Sequence, residues 1–120
     1  MPENTIMILL NKVKITGAGT KHILHYHPPY TVQINFTNVG GSVTALEVQL
    51  EGSLDGVNFI SLHDNEVPYV FTAADLAAGF AMYHIQNRKV QEVRGNLTTL
   101  TQTGTTEVTQ YLMGSVKDNG

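Results

Sequence analysis

The residues whose types and spacing best suit chemistry are three histidines in one short segment, His22, His25 and His27. Alternate residues of an extended strand project from the same face, so His25 and His27 share a face. Two such imidazoles suit zinc or copper, with His22, His63 or His84 as the third ligand. Spacing suggests only two ligands, however, and no acidic partner stands beside them. We therefore predict no bound metal and interpret these histidines as polar strand residues at a subunit contact.

Two further interpretations of these histidines stay open. Zinc or copper held by His25 and His27 would indicate a metal-dependent enzyme. Titration in mildly acidic conditions would instead make subunit assembly sensitive to pH. We predict no enzyme and no cofactor, because the sequence contains no nucleophile elbow, zinc-protease helix motif, phosphate loop or dinucleotide-binding motif.

Two glutamates and six aromatic residues are further candidates, for acid/base catalysis and for sugar binding respectively. Glu47 and Glu51 lie on one face of a predicted strand, where they could act as an acid/base pair as in glycosidases. Polar residues of a half-buried strand ordinarily alternate towards solvent, which favours a solvated outer face for these two glutamates instead. Flat rings stack on the apolar faces of pyranoses, so six aromatic residues are candidates for a sugar-binding surface, with core packing as the alternative. These residues are Tyr26, Tyr30, Tyr69, Phe71, Phe80 and Tyr83.

Strands are the elements that must position these side chains. The chain has 14 Thr, 12 Val and 11 Gly, a composition opposite to that of a helical bundle. Apolar and polar residues alternate along 30–39, which predicts a half-buried strand. The predicted strands cover residues 30–39, 46–51, 57–62, 67–71, 80–85, 90–100 and 107–112. Seven or eight short strands with frequent turns predict an all-β fold, an antiparallel β-sandwich of jelly-roll type.

One short helix is predicted between two of these strands. Thr72 is followed three positions later by Asp75, which resembles a capping box with Asp in place of Glu. The helix then covers residues 73–78, and Gly79 ends it. It is too short to determine the fold.

The N-terminal residues 1–21 are predicted as an arm, and residues 22–120 as the β-sandwich domain. Five consecutive large apolar residues occur in the arm, and a strand with one solvent-exposed face cannot bury all of them. We predict that part of this strand lies against another chain by edge pairing. The predicted interface residues are Ile6, Met7, Ile8, Leu9 and Leu10.

Charge and composition exclude several classes of partner. Seven Lys plus Arg against ten Asp plus Glu give a formal net charge of -3. A surface that follows phosphates needs a clustered excess of basic residues, so we predict no nucleic-acid partner. The longest apolar run, residues 6–10, is far shorter than the roughly 20 residues of a spanning helix, so we predict no membrane partner. The absence of cysteine excludes a disulfide scaffold.

Two segments carry a resemblance to a known family. Residues 48–59 read VQLEGSLDGVNF and residues 89–100 read KVQEVRGNLTTL, followed by a Thr/Gly turn and a final Val-containing strand. With these motifs, residues 31–114 resemble the small discoidin-like β-sandwich proteins of tailed-bacteriophage virions. Phe59 stands where those proteins commonly have Trp, and the motifs leave residues 1–21 unexplained.

The resemblance implies a virion structural protein. The expected function is capsid decoration, in which a cement protein binds the major capsid protein on the outside of the phage head and stabilises the shell. The resemblance also implies synthesis in the host cytoplasm, a location on the capsid exterior and a homo-oligomer, with a trimer favoured. The alternative is a tail, collar or fibre accessory module that binds host-surface glycan.

Overall fold

Ten strands and one short helix make up the described part of the chain. The computed structural model describes residues 6–63, 66–86 and 88–116. In chain order the elements are β1 (Met7–Val13), β2 (Gly17–Ala18), β3 (His22–Ile23), β4 (Tyr26–Val39), β5 (Val43–Ser53), β6 (Ile60–Ser61), β7 (Tyr69–Val70), α1 (Ala73–Ala78), β8 (Phe80–Ile85), β9 (Glu92–Gln102) and β10 (Thr105–Val116).

The strands form two antiparallel sheets. The first sheet has the order β1-β10-β4-β8, and the second has the order β2-β9-β5-β6, with β3 also pairing with β9 and β7 with β5. Each sheet is dominated by one long antiparallel pair of strands that are distant in sequence, β4 with β10 in the first and β5 with β9 in the second. The predicted all-β antiparallel sandwich with one short helix is confirmed.

The hydrophobic core lies between the inner faces of the two sheets. Val32 and Ile34 of β4 are both 0% exposed, and Leu46, Val48 and Leu50 of β5 are at most 1% exposed. These positions alternate with polar residues on the outer faces, as the period of two along a strand requires. Each such side chain contributes about 1.5–3 kcal/mol by its removal from water.

Strand β1 buries two consecutive leucines, although neighbouring strand residues normally face opposite sides. Leu9 and Leu10 are 3% and 2% exposed. The pairing of β1 with β10 shifts register between Ile8 and Leu10, and such a bulge re-aims side chains, so both leucines point inward. β1 is therefore part of the first sheet, while the arm boundary at residue 21 stays a prediction.

The helix α1 has the predicted boundaries and caps. The Thr72 hydroxyl accepts the Asp75 N–H at 3.1 Å, and the Asp75 carboxylate accepts the Thr72 N–H at 3.0 Å. Gly79 ends the helix at φ 84°, in the left-handed region that favours glycine. Along the described residues, no helix has both the length and the apolar character needed to span a bilayer.

Candidate functional site

A cleft opens where the margins of the two sheets meet. It lies between β7 of the second sheet and β8 of the first, and its volume is about 290 Å³. Neither strand has a second strand partner among the described residues. The cleft is lined by His63, Val67, Pro68, Tyr69, Val70, Tyr83, His84 and Ile85.

Stacked aromatic rings form one wall of this cleft. The rings of Tyr69 and Tyr83 are nearly parallel, with centroids 4.7 Å apart and an interplanar angle of 2°. Phe71 meets Tyr69 edge to face at 5.7 Å, and His63 meets Tyr83 edge to face at 5.1 Å. Both arrangements suit the quadrupoles of the rings. The wall therefore packs residues of both sheets into one rigid cluster.

The imidazole of His63 is a hydrogen-bonded structural group. Its Nδ1 lies 2.8 Å from the carbonyl of Val67, which can only accept, so Nδ1 carries the proton. Its Nε2 accepts the backbone N–H of Leu50 at 3.1 Å and the hydroxyl of Tyr83 at 2.7 Å. Both ring nitrogens are therefore engaged within the protein, and the residue is only 7% exposed.

Both tyrosines of the stack have raised pKa values. Burial, followed by the hydrogen bond to Asp75 and the charge of that carboxylate, raises the pKa of Tyr69 to about 12. Its hydroxyl donates to Asp75 at 2.7 Å. Burial and the proximity of Tyr69 raise the pKa of Tyr83. The two phenols therefore stay protonated at neutral pH and serve as hydrogen-bond donors.

His84 is the exposed polar group at the mouth of the cleft. Its Nδ1 lies 3.1 Å from the Thr31 hydroxyl on the neighbouring strand. Its ring is exposed and can offer a donor or acceptor to a ligand. The cleft thus combines an aromatic wall with a few polar groups, the usual composition of a small-molecule site.

In the described part of the chain, the histidines do not form one cluster. His63 and His84 line the cleft, while His22 lines a groove beside β1 and His27 lies in a depression formed with Tyr26 and Lys89. His25 is exposed. Among the described residues, no group of three or more His, Cys, Asp or Glu side chains is arranged to hold a metal. The pairing of His63 with Tyr83 has no local sequence signal, since 20 positions separate them.

The predicted sugar-binding aromatics separate into two sets. Tyr69 and Tyr83 line the cleft, and Phe71 is a core residue that packs edge to face against Tyr69. Tyr26 and Tyr30 are 6% and 1% exposed and belong to the core, and the Tyr30 hydroxyl donates to the Arg88 carbonyl at 2.8 Å. Phe80 is 46% exposed at the start of β8.

The outer-face carboxylates differ from the expected solvated pair. Glu51 is only 7% exposed, so the expectation of a solvated face is wrong for this residue. Its carboxylate accepts Nε of Arg94 at 2.7 Å, Nδ2 of Asn96 at 3.0 Å and Nε2 of Gln49 at 2.9 Å. These neighbours surround it, and the Phe59 ring lies 4.2 Å from the Arg94 guanidinium. The network engages both carboxylate oxygens of Glu51 structurally.

The motif residues that carry the family resemblance form a turn and this network. The Ser53 hydroxyl accepts the N–H of Gly56 at 2.9 Å and donates to Asp55 at 2.9 Å. Asp55 also accepts the N–H groups of Val57 and Asn58, both at 2.8 Å, and these bonds hold the pKa of its carboxyl well below the usual range. The motif therefore specifies how the chain returns after β5.

Strand β1 is the second candidate functional region. Ile6 and Ile8 are 55% and 45% exposed, and Met7 is half-buried. Leu9 and Leu10, also predicted at the interface, point into the core of the same chain. One edge of β1 pairs with β10, and the other has no strand partner among the described residues. A groove of about 460 Å³ runs along β1, lined by Ile8, Leu9, Leu10, Asn11, Val13, Gly19, Thr20 and His22.

The fold and these two regions define the chain as an all-β sandwich with an aromatic cleft and an apolar edge strand. Comparison with known proteins found no matching family model, no significantly similar curated protein and no significantly similar solved structure. The assignment of a function therefore depends on the sequence motifs and on the geometry of the cleft and of β1.

Proposed function

We propose that the protein is a non-enzymatic structural component of a tailed-bacteriophage virion. It is made in the host cytoplasm and binds the major capsid protein on the exterior of the head. There it acts as a decoration or cement protein that stabilises the shell. The motifs at residues 48–59 and 89–100 are the sequence basis of this proposal.

The observation that carries the proposal is the geometry of β1. Leu9 and Leu10 hold the strand in the core, while Ile6 and Ile8 remain exposed beside its unpaired edge. Edge pairing uses main-chain hydrogen bonds and therefore works between unlike sequences. Because β1 is already ordered by β10, attachment costs little additional conformational entropy.

The mechanism of stabilisation is mass action. A protein that binds only the assembled shell stabilises it by RT ln(1 + [L]/Kd) at each site. The formal charge of -3 supports a position away from the packaged DNA, since a DNA-binding surface would need clustered basic residues. Self-association accompanies this role, with three copies implied by the family resemblance.

The first test is the copy number of the chain relative to the major capsid protein in purified source particles, measured by quantitative mass spectrometry. A ratio of one, one third or two thirds supports shell decoration. A few to a few dozen copies per particle favours the collar or tail, and complete absence overturns the virion assignment.

The second test is attachment to particles that lack this protein, measured by co-sedimentation. Deleting residues 1–10 would remove Leu9 and Leu10 from the core, so a point substitution is the cleaner variant. Ile6→Glu places a charge on the exposed part of the edge and should weaken attachment at least tenfold. The matched control is Ile15→Glu, because Ile15 is 80% exposed outside the strands. Equal attachment of both variants would contradict a role for β1.

A second candidate function is a tail, collar or fibre module that binds host-surface glycan. The cleft favours it, because the Tyr69–Tyr83 wall and the exposed His84 bring apolar and polar surface together. Glycan-array binding that is lost in His84→Ala and kept in Phe80→Ala would support this function. Tyr26 and Tyr30 are unsuitable for the test, since their burial makes substitution a test of folding. No binding to any glycan would oppose it.

A further inference from the structure

Two tyrosines from different sheets lie face to face in the cleft. Tyr69 belongs to β7 of the second sheet, and Tyr83 belongs to β8 of the first. Their ring planes differ by 2°, and their centroids lie 4.7 Å apart. In an offset stack of this spacing, the nearest carbons of the two rings approach to about 3.5–4.0 Å. The two rings are therefore in direct contact across the margin of the sandwich.

Each phenol of this pair is hydrogen-bonded to a side chain that can take its proton. The Tyr69 hydroxyl donates to the carboxylate of Asp75 at 2.7 Å, and the Tyr83 hydroxyl donates to Nε2 of His63 at 2.7 Å. Both distances lie in the range of about 2.6–3.2 Å over which a positioned base accepts a proton. Tyr30 differs in this respect, because its hydroxyl donates to a main-chain carbonyl, which is too weak a base for this purpose.

The cleft exposes both rings to small molecules. Tyr69 and Tyr83 are half-buried and line its volume of about 290 Å³. An oxidant needs to reach only the mouth of the cleft, because an electron, unlike a ligand, crosses a short distance of protein. The same open volume leaves a tyrosine ring space to turn.

We propose that Tyr69 and Tyr83 form an oxidative cross-linking site, at which a one-electron oxidant joins the two rings by a carbon–carbon bond. Each ring gives one electron to the oxidant and one proton to its hydrogen-bond partner, and becomes a neutral tyrosyl radical. One Cε carbon of each ring then bonds to the other, and the hydrogen on each of these carbons moves to the phenolic oxygen. Two tyrosines thereby become one dityrosine, while two electrons pass to two equivalents of oxidant and two protons pass to solvent.

The face-to-face arrangement of the rings suits this bond. The unpaired electron of a tyrosyl radical occupies p orbitals perpendicular to the ring, with high density at the carbons next to the one that bears oxygen. In parallel rings these orbitals point towards the neighbouring ring, so the reaction begins near its reacting geometry. The edge-to-face contact of Tyr69 with Phe71, at 81°, lacks this alignment.

The cross-link would tie the two sheets together in a chain that has no cysteine. It joins β7 to β8, and neither strand has a second strand partner among the described residues. A covalent link between distant residues restricts the unfolded chain, as a disulfide does. This inference does not depend on the proposed virion function, because the isolated chain is sufficient to test it.

The test is brief photo-oxidation of the full-length chain at low concentration with tris(bipyridyl)ruthenium(II) and persulfate. Dityrosine fluorescence is measured in the monomeric fraction, and mass spectrometry of its peptides identifies the linked residues. The wild type should contain a Tyr69–Tyr83 link with the loss of two hydrogen atoms. Tyr83→Phe should abolish intramolecular dityrosine, while Tyr111→Phe, the matched control on the outer face of the first sheet, should keep it. A wild type without this link, or intramolecular dityrosine that persists in Tyr83→Phe, would overturn the proposal.

A second comparison separates the proton acceptor from the stacked rings. Asp75→Asn keeps a side chain of similar shape beside the Tyr69 hydroxyl but removes the base. The yield of the link should fall about tenfold or more, since a positioned base contributes about 10²–10⁴-fold to a step that moves a proton. Asp55→Asn, the same change in the turn after β5, should leave the yield unaltered. Equal yields in the two variants would contradict proton transfer to Asp75.

Unfolding provides the last control and the functional readout. Oxidation in urea that unfolds the chain should give a mixture of tyrosine links, and an equally selective Tyr69–Tyr83 link there would show that the fold does not direct the reaction. The cross-linked protein should also have a higher urea midpoint than the unmodified protein, because the link restricts its unfolded state. An unchanged midpoint would contradict a covalent tie between the sheets.

Discussion

Tyr83 donates its hydroxyl to Nε2 of His63 at 2.7 Å, and this hydrogen bond joins the two sheets. Tyr83 lies on β8 of the first sheet, and His63 follows β6 of the second. The same Nε2 accepts the N–H of Leu50, so a buried main-chain donor also depends on this imidazole. The margin of the sandwich is therefore held by a polar contact as well as by stacked rings.

Removing the Tyr83 hydroxyl tests the energetic value of this contact. Tyr83→Phe keeps the stacked ring and deletes one donor to a partly buried acceptor, which costs about 1 kcal/mol of the free energy of unfolding. Urea denaturation measures the change. Tyr111→Phe is the matched control, since its ring lies on an outer face and should change the value by less than about 0.5 kcal/mol. Equal effects of the two substitutions would contradict the structural role of the contact.

Stability should fall at alkaline pH. The pKa of Tyr69 is raised from 10.0 to about 12, mainly by burial, and the pKa of Tyr83 is raised as well. Because these pKa values are raised in the folded state, the stabilisation that the protonated tyrosines contribute is complete below pH 10. It is lost as the pH rises from 10 towards 12. Urea midpoints measured between pH 8 and 12 should decrease across this window. The decrease should be smaller in Tyr69→Phe, and a wild-type midpoint that stays constant to pH 12 would contradict this expectation.

Arg94 should be far more important for stability than an exposed basic residue. Its Nε lies 2.7 Å from Glu51, whose side chain is 9% exposed, so Arg94→Ala leaves a buried carboxylate without its charged partner. The expected loss is about 3 kcal/mol. Lys14→Ala is the control, because Lys14 and Glu107 are 3.9 Å apart and both exposed, and such pairs contribute about 0–1 kcal/mol. Similar unfolding free energies for the two variants would show that the Glu51 network contributes little.

The capping box of α1 predicts an acid-dependent contribution. The N–H of Thr72, followed by the hydroxyl of Tyr69, lowers the pKa of Asp75 below 3.8. A lowered pKa means that the stabilisation is present above pH 3.8 and is lost as the pH falls through the folded-state value. Thr72→Ala should cost about 1 kcal/mol at neutral pH. Asp75→Asn should weaken the acid dependence of the urea midpoint between pH 5 and 2, and an unaltered dependence would exclude Asp75 as its source.

Local patterns predicted the elements well. Strict alternation predicted a strand over 30–39, which lies within β4, and the Thr72–Asp75 spacing predicted α1 with both caps. Each pattern depends on neighbours a few residues apart, so the sequence displays it directly. The inward orientation of both Leu9 and Leu10 in the first strand could not be predicted in this way. It results from a bulge that depends on the register with β10, about 100 positions away.

The candidate site could be predicted only in part. Tyr69 and Tyr83 were recognised as aromatic candidates, but His63 was considered only as a possible third metal ligand. Their meeting depends on the packing of two sheets, since contacts between residues 14 or 20 positions apart in loops and edge strands leave no period in the sequence. The burial of Glu51 likewise depends on Arg94, 43 positions later.

The sequence by itself determined the class of fold, because alternation, turn residues and helix caps act over short distances along the chain. Only the tertiary structure decided which side chains from distant parts of the chain lie together at the surface. The cleft, for example, brings His63, Tyr69 and Tyr83 together from three separate parts of the chain. Strand pairing is set by long-range packing of the whole core, so the aromatic cleft cannot be recognised until the strands are paired.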